Sequence, residues 1–156
     1  MRYVKQVKVF VQVSAVEATD PAVRELCAAQ QVELESRYGV DSGEPPKGID
    51  PAAAFLVARV ADEPVGCAGL KPLEPGIAEV TRMYVRPAHR GHGISRLLLR
   101  EVEDMAKARG VTRIRLETGD LQPESIGLYG SSGYQRIPAF GQYVGSPLSL
   151  CFEKPL

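Results

Sequence analysis

A short basic stretch rich in glycine offers the clearest chemistry in this chain, because it directly precedes an amphipathic helix. Residues 89–93 read HRGHG, and the apolar positions from Ile94 to Met105 then follow helical spacing. The first turn of a helix presents unpaired backbone N–H groups, with the positive end of the helix dipole behind them. Glycines let a phosphate approach the backbone without Cβ atoms in the way, and Arg90 adds a mobile positive charge. The stretch therefore predicts a site for a pyrophosphate group.

Two other phosphate-binding patterns do not fit this stretch. A P-loop requires Gly-x4-Gly-Lys followed by Ser or Thr, and the sequence has no such run. A dinucleotide fold requires GxGxxG; Gly91 and Gly93 supply the first two glycines, but Arg96 stands at the third. The chain also lacks the repeated βαβ units of that fold. The alternative without a ligand is a tight turn from a strand into the helix.

The surrounding elements alternate in a way that predicts one α/β domain over residues 1–156. Asp20-Pro21 marks the start of a helix, and Gly39 to Pro51 has the composition of an exposed loop. We expect strands at 4–13, 52–60, 65–70, 77–85, 112–118 and 147–154, and helices from 21 to about 38, from 92 or 93 to 110, and at 123–132. The order β-α-β-β-β-α-β-α-β favours a mixed central sheet flanked by helices.

Composition and charge exclude several classes of partner. The 156 residues include nineteen basic and nineteen acidic side chains, so the net charge is zero. We therefore expect no nucleic acid and no membrane surface as a partner. The N-terminal sequence does not resemble a signal peptide, and no run is long and apolar enough to span a membrane, which predicts a cytoplasmic protein. The cysteines at 27, 67 and 151 show no CxxC pair or Cys/His cluster, so we expect reduced thiols and no metal site.

The six residues Arg90-Gly91-His92-Gly93-Ile94-Ser95 resemble the coenzyme A signature of the GNAT family of N-acetyltransferases, Arg-x-x-Gly-x-Gly/Ala, with Ser95 at the last position. The resemblance extends from the strand IAEVTRMYV through LETG and SIGLYGSSGY to the closing strand, roughly Phe55 to Lys154. It implies the mixed, splayed sheet of that family. It also implies acetyl-CoA as acyl donor, lying in the gap between the fourth and fifth strands, here 77–85 and 112–118.

The same resemblance implies which residues hold the cofactor. The backbone of Met83 and Val85 would pair with the pantetheine arm like an extra strand. Residues 90–96 would hold the pyrophosphate, while Gln122 and Ser125 fall where related sequences face the cofactor. The implied cofactor-binding residues are Met83, Tyr84, Val85, Arg90, Gly91, His92, Gly93, Ile94, Ser95, Arg96, Gln122, Ser125 and Tyr129.

Acetyl transfer to an amine requires two proton movements, and three residues are candidates for them. An alkylammonium, with a pKa of roughly 10, must lose a proton before it attacks. Glu79 on the cofactor-flanking strand is the first candidate for this base, on the same face as Thr81 and Met83 in a regular strand. Glu117 in LETG is the second. Tyr129 matches the position where the family often keeps the tyrosine that protonates the departing thiolate. His89 and His92 are interpreted as exposed loop residues.

The sequence names a class of acceptor but no compound. We expect an amine of a small molecule or a peptide, with the segments 39–51 and 137–143 as pocket walls, the latter through Phe140 and Tyr143. The protein is expected to be a monomer or a homodimer. The alternative function is a catalytically silent acyl-CoA-binding module, which would need neither Tyr129 nor Glu79.

Overall fold

A single mixed sheet organises the structure, a computed structural model that describes residues 10–39 and 48–156. The strands within these residues are β1 (Gln12–Glu17), β2 (Ala54–Val60), β3 (Glu63–Glu74), β4 (Ile77–Val85), β5 (Arg113–Gly119), β6 (Gln135–Ile137) and β7 (Ser149–Pro155). The helices are α1 (Pro21–Tyr38), α2 (Ile94–Ala108) and α3 (Pro123–Ser131), with short 3₁₀ turns at Pro87–His89 and Gly141–Tyr143.

The sheet splits where β4 separates from β5. The strand order is β1-β2-β3-β4-β5-β7-β6, and neighbouring strands are antiparallel except for the parallel pair β4–β5. Ile77–Val80 of β4 pairs with Arg113–Leu116 of β5, and the pairing ends there. The rest of β4 continues without β5 beside it, so the two strands leave a gap at their carboxyl ends.

A bulge in β4 lies at this gap. Tyr84 is opposite Cys67 and Thr81 is opposite Gly69, so β4 carries an extra residue between these two pairs. Arg82 within it has a φ of 56°, a left-handed conformation that side chains other than glycine rarely adopt. The expectation of a regular strand through Met83 is therefore wrong, because the bulge interrupts the alternation of side chains after Thr81.

The two main helices cover opposite faces of the sheet. Along β2, Phe55 and Val57 pack in the cluster that contains α1 residues, whereas Leu56 and Ala58 pack in the cluster that contains α2 residues. Fully burying a large apolar side chain such as Phe55 stabilises a fold by about 1.5–3 kcal/mol. Each face of the sheet is therefore covered by one of the two main helices. Across the described ranges, no helix is both long and apolar enough to cross a bilayer.

The starts of α1 and α2 differ in a way that the sequence explains. Asp20 caps α1 by accepting a hydrogen bond from the Ala22 N–H at 2.8 Å, and Pro21 occupies the first helical position. Helix α2 instead begins after Gly93, which has a φ of 80° and supplies no side-chain cap. The first turn of α2 therefore lacks the side-chain acceptor that the first turn of α1 has.

The mixed sheet flanked by helices confirms the predicted fold class, although details of the elements differ. Within the described residues β1 runs from Gln12 to Glu17 and so continues beyond the predicted end at Val13, because its extent is set by pairing with β2 from Gln12–Arg59 to Glu17–Ala54; residues 4–9 of the predicted strand lie outside the described ranges. The predicted order also lacked β6, whose three residues are too few to show a period. Most of the predicted loop, residues 40–47, lies outside the described ranges.

Candidate active site

A groove follows the gap between β4 and β5. Its wall on one side is α1, and on the other side it meets the start of α2 and α3. Both ends of the groove share a middle section formed by Gln30, Leu34, Met83, Gln122 and Ser125. Leu34 of α1 thus lines both ends of the groove.

One end of the groove is the glycine loop, residues 89–93, with the first turn of α2. Gly91 and Gly93 have φ angles of 82° and 80°, and a Cβ atom built on either would meet nothing within 4 Å. The first hydrogen bond within α2 runs from the Leu97 N–H to the Gly93 carbonyl at 3.0 Å. Helix geometry therefore leaves the preceding amides, including those of Ile94 and Ser95, without an intrahelical acceptor. Open space, unpaired donors and the helix dipole together suit an anion.

Arg90 is not the mobile charge that the sequence suggested. Its two terminal nitrogens each lie 2.8 Å from a carboxylate oxygen of Glu33 on α1, and its Nε donates to the Val85 carbonyl at 2.8 Å. This bidentate pair lowers the pKa of Glu33. The guanidinium also lies 5.7 Å from the centre of the Tyr84 ring. Arg90 therefore ties α1 to the end of β4, and an anion would compete with Glu33 for it.

The free edge of β4 is also occupied by side chains. The Met83 carbonyl accepts a hydrogen bond from Gln30 Nε2 at 3.0 Å, and the Val85 carbonyl accepts the bond from Arg90. Gln30 and Glu33 lie one helical turn apart on α1. The Gln30 amide is bound to the Met83 carbonyl, which the resemblance assigned to the pantetheine arm. The Glu33 carboxylate is bound to Arg90, which the resemblance assigned to the pyrophosphate.

The other end of the groove brings together the three residues expected to move protons. Glu79, Glu117 and Tyr129 all line it. Glu79 is 3% exposed, and its Oε2 accepts a hydrogen bond from the Tyr143 hydroxyl at 2.7 Å. Two carboxylates and a phenol are thus placed on one cavity, a combination that can both accept and donate protons.

Tyr129 presents a protonated hydroxyl to this end of the groove. Its side chain is 4% exposed, and its ring packs edge-on against Tyr134 with centroids 5.6 Å apart. Burial, and after it the charge of Glu117, raises the pKa of Tyr129. The hydroxyl is therefore a hydrogen-bond donor throughout the neutral range.

Most of the predicted cofactor-binding residues line the groove, and two do not. The lining includes Met83, Tyr84, Val85, Arg90, Gly91, Gly93, Ile94, Ser95, Gln122, Ser125 and Tyr129. His92 and Arg96 are exposed and lie outside this lining. The Arg96 side chain turns to α3 and donates to Ser131 Oγ at 2.9 Å. Of these two residues only the backbone amides are placed to meet a ligand at the start of α2.

Sequence reasoning missed the contribution of α1 to this site. Gln30, Glu33 and Arg37 follow i, i+3, i+7 spacing and form one polar stripe on the helix. Tyr38 ends the helix, and its hydroxyl accepts a hydrogen bond from the Leu121 N–H at 2.8 Å. Gly119 permits this approach, because a Cβ there would lie 2.0 Å from the Tyr38 hydroxyl oxygen. This polar stripe is the sequence pattern that could have indicated that α1 contributes polar groups to the site.

Comparisons with known proteins show the family of this chain and agree with its fold. The model of the acetyltransferase (GNAT) family matches residues 21–134. The chain is 45% identical over 107 residues to the IAA acetyltransferase of Azospirillum brasilense, an alignment that covers 68% of this chain and 70% of that protein.

Solved structures show the same architecture. A Klebsiella pneumoniae protein assigned as an acyl-CoA N-acyltransferase matches with a TM-score of 0.79 and 34% identity, over 94% of this chain and 97% of the other. A GNAT family acetyltransferase from Elizabethkingia anophelis, solved with acetyl-CoA bound, matches with a TM-score of 0.69 over 94% of this chain and 98% of the other. Its identity of 17% makes this a likeness of fold.

Proposed function

This chain belongs to the GNAT family of acetyltransferases, and we propose that it moves an acetyl group from acetyl-CoA directly to an amine of a small molecule or peptide. The observation that carries the proposal is the arrangement of one groove. Its first end offers an anion site at Gly91 and Gly93, and its second end holds Glu79 and Tyr129. The amine and the thioester would meet at that second end.

The residues of the groove fit a coenzyme A in an extended conformation. The amides at the start of α2 would bind the pyrophosphate, as the open space at Gly91 and Gly93 allows. The free edge of β4 would bind the pantetheine arm through the backbone of Met83 and Val85. Gln30 would first release the Met83 carbonyl, and Arg90 would release the Val85 carbonyl. Bound acetyl-CoA supplies the thioester, and the chain supplies position and proton transfer.

Glu79 is proposed as the base that receives the proton of the attacking amine. It is buried, it lines the groove, and its Oε2 is held by Tyr143, so the carboxylate is approached from the groove at its other oxygen. A buried carboxylate also favours an ammonium over neutral compounds, because the two charges attract more strongly at low dielectric. Glu117 is the second candidate on the same cavity.

Tyr129 is proposed as the donor to the departing thiolate. Its raised pKa means that it holds its proton more tightly than a thiol, whose ordinary pKa is about 8.5. The hydroxyl therefore acts first as a hydrogen-bond donor while charge develops on sulfur. The charge of Glu117 is one cause of the raised pKa, so neutralising Glu117 would ease proton release from Tyr129.

Two measurements test the proposal. A thermal-shift panel of acetyl-CoA, NAD and ATP should show stabilisation by acetyl-CoA alone, because a selective ligand stabilises the folded state. A free-thiol assay with acetyl-CoA and a library of primary amines should then show thiol release that depends on the amine. IAA, the compound in the name of the Azospirillum relative, should be assayed separately beside the library. Stabilisation by acetyl-CoA without amine-dependent thiol release would favour the silent binding module instead.

A further inference from the structure

Tyr143 contacts Glu79 but is not among the residues that line the groove. Its hydroxyl is 2.7 Å from Glu79 Oε2, and the two residues are 64 positions apart in the chain. Tyr143 belongs to the 3₁₀ turn that follows β6, and it is 4% exposed. A side chain from a distant segment therefore reaches the candidate base through the protein interior.

The packing around Tyr143 fixes the position of its hydroxyl. Its ring meets that of Phe140 edge-on, with centroids 5.3 Å apart. Phe140 is in turn covered by the guanidinium of Arg115, 5.8 Å from the ring centre. Phe140 therefore supports the Tyr143 ring, and a side chain that is already packed loses little freedom when it forms a hydrogen bond.

The hydrogen bond has a defined direction. Burial, followed by the charge and the hydrogen bond of Glu79, raises the pKa of Tyr143 well above its ordinary value. The phenol therefore keeps its proton at every pH at which such an enzyme operates, and the carboxylate is the acceptor. Hydrogen bonds to an ionised carboxylate are stronger than those between neutral groups.

We propose that Tyr143 is a positioning residue for Glu79, holding its carboxylate turned so that the second oxygen faces the amine in the groove. The proposal rests on the proposed function, in which Glu79 is the base. It adds a role for the segment after β6 that the family signature at the glycine loop does not cover. Tyr143 is not itself among the residues that line the groove, and its contact with the groove is through Glu79.

Several other groups face Glu79 from the neighbouring strands. Lys71 of β3 and Arg115 of β5 are its register partners. Glu117 lies two residues further along β5, on the same face as Arg115. Cys151 of β7, opposite Glu117, completes the set. None of these groups changes in a Tyr143→Phe variant, so a change in the pH profile of that variant reports the lost hydroxyl.

The test compares Tyr143→Phe with the parent protein in the presence and absence of the Glu79 carboxylate. Assays use acetyl-CoA and the primary amine with the highest turnover in the screen above. Phenylalanine keeps the ring and its contact with Phe140, so the fold and the affinity for coenzyme A should stay unchanged. We expect kcat/KM at neutral pH to fall by on the order of tenfold or more, the loss typical of a hydrogen bond to a charged group. The pH profile of kcat/KM should also change, because the lost hydroxyl donates a hydrogen bond to the proposed base.

A double-mutant cycle separates positioning from general structural damage. If Tyr143 acts through Glu79, adding Tyr143→Phe to Glu79→Gln should cause no further loss of rate. A parental pH profile in Tyr143→Phe, or an equal loss in both backgrounds, would overturn the positioning role while leaving the proposed function intact. Full activity of Glu79→Gln alone would instead remove Glu79 as the base and overturn the positioning role with it, leaving Glu117 as the candidate base for the proposed acetyl transfer.

Discussion

Arg90 of the glycine loop and Glu33 of α1 form a bidentate ion pair, with both nitrogen–oxygen distances at 2.8 Å. The pair spans the groove at the end where a pyrophosphate is proposed to bind. An incoming phosphate therefore meets an arginine that is already neutralised and a carboxylate that repels it. Helix α1 thus modulates affinity for the cofactor, a role that the signature sequence alone did not suggest.

Removing the carboxylate of Glu33 should strengthen binding of coenzyme A. Exposed ion pairs contribute about 0.2–1 kcal/mol, so Glu33→Gln should lower the dissociation constant by roughly two- to fivefold. The matched control is Glu25→Gln, which removes another α1 carboxylate that pairs with an arginine, Arg86, at 2.7 Å. Calorimetry should show tighter binding only for Glu33→Gln, and weaker binding in that variant would mean that the pair holds the groove in its binding shape.

A side chain at Gly93 should reduce affinity for coenzyme A. Gly93→Ala places a methyl group in the open space at the start of α2, and its φ of 80° costs a residue with Cβ about 1–2 kcal/mol of stability. Gly110→Ala is the control, because Gly110 has a φ of 78° and equally open surroundings beyond the other end of α2. Both variants should lose similar thermal stability, but only Gly93→Ala should bind coenzyme A more weakly. Equal affinities in the two would contradict the assignment of the anion site.

The elements that form the site were largely predictable from local sequence. The predicted strand IAEVTRMYV has the observed bounds of β4, Ile77 to Val85. Asp20-Pro21 marked the start of α1, and the glycines of residues 89–93 marked the start of α2. These signals are local, because capping and turn formation involve residues that are close in the chain.

The interactions that adjust the site were not predictable, because their partners are far apart in sequence. Glu33 and Arg90 are 57 positions apart, and Glu79 and Tyr143 are 64 apart. The bulge at Arg82 follows from pairing with β3, and the extent of β1 follows from pairing with β2. Each of these features depends on tertiary packing, which no local pattern in a single sequence records.

Substitutions of Glu79 and of Glu117 should have different effects on the reaction rate. Glu79→Gln cannot accept a proton, so its rate should fall by about 10²–10⁴-fold, with the greatest loss at low pH, where the amine is most protonated. Glu117→Gln should lower the pKa of Tyr129 towards its ordinary value and should not show this loss at low pH. Profiles of kcat/KM against pH for both variants decide between them. If Glu117→Gln lost rate at low pH and Glu79→Gln behaved like the parent protein, Glu117 and not Glu79 would be the base.

The most direct test of acetyl transfer in this groove is the turnover rate of Tyr129→Phe, measured beside direct titration of acetyl-CoA. The change removes one hydroxyl and keeps the ring packed against Tyr134. Tyr134→Phe is the control, since its hydroxyl is buried and has no hydrogen-bond partner among the residues described. With the best primary amine, Tyr129→Phe should lose about 10²–10⁴-fold in turnover while its affinity for acetyl-CoA stays within a few-fold, and Tyr134→Phe should keep the parental rate. Full activity of Tyr129→Phe, or an equal loss in both variants, would contradict the account.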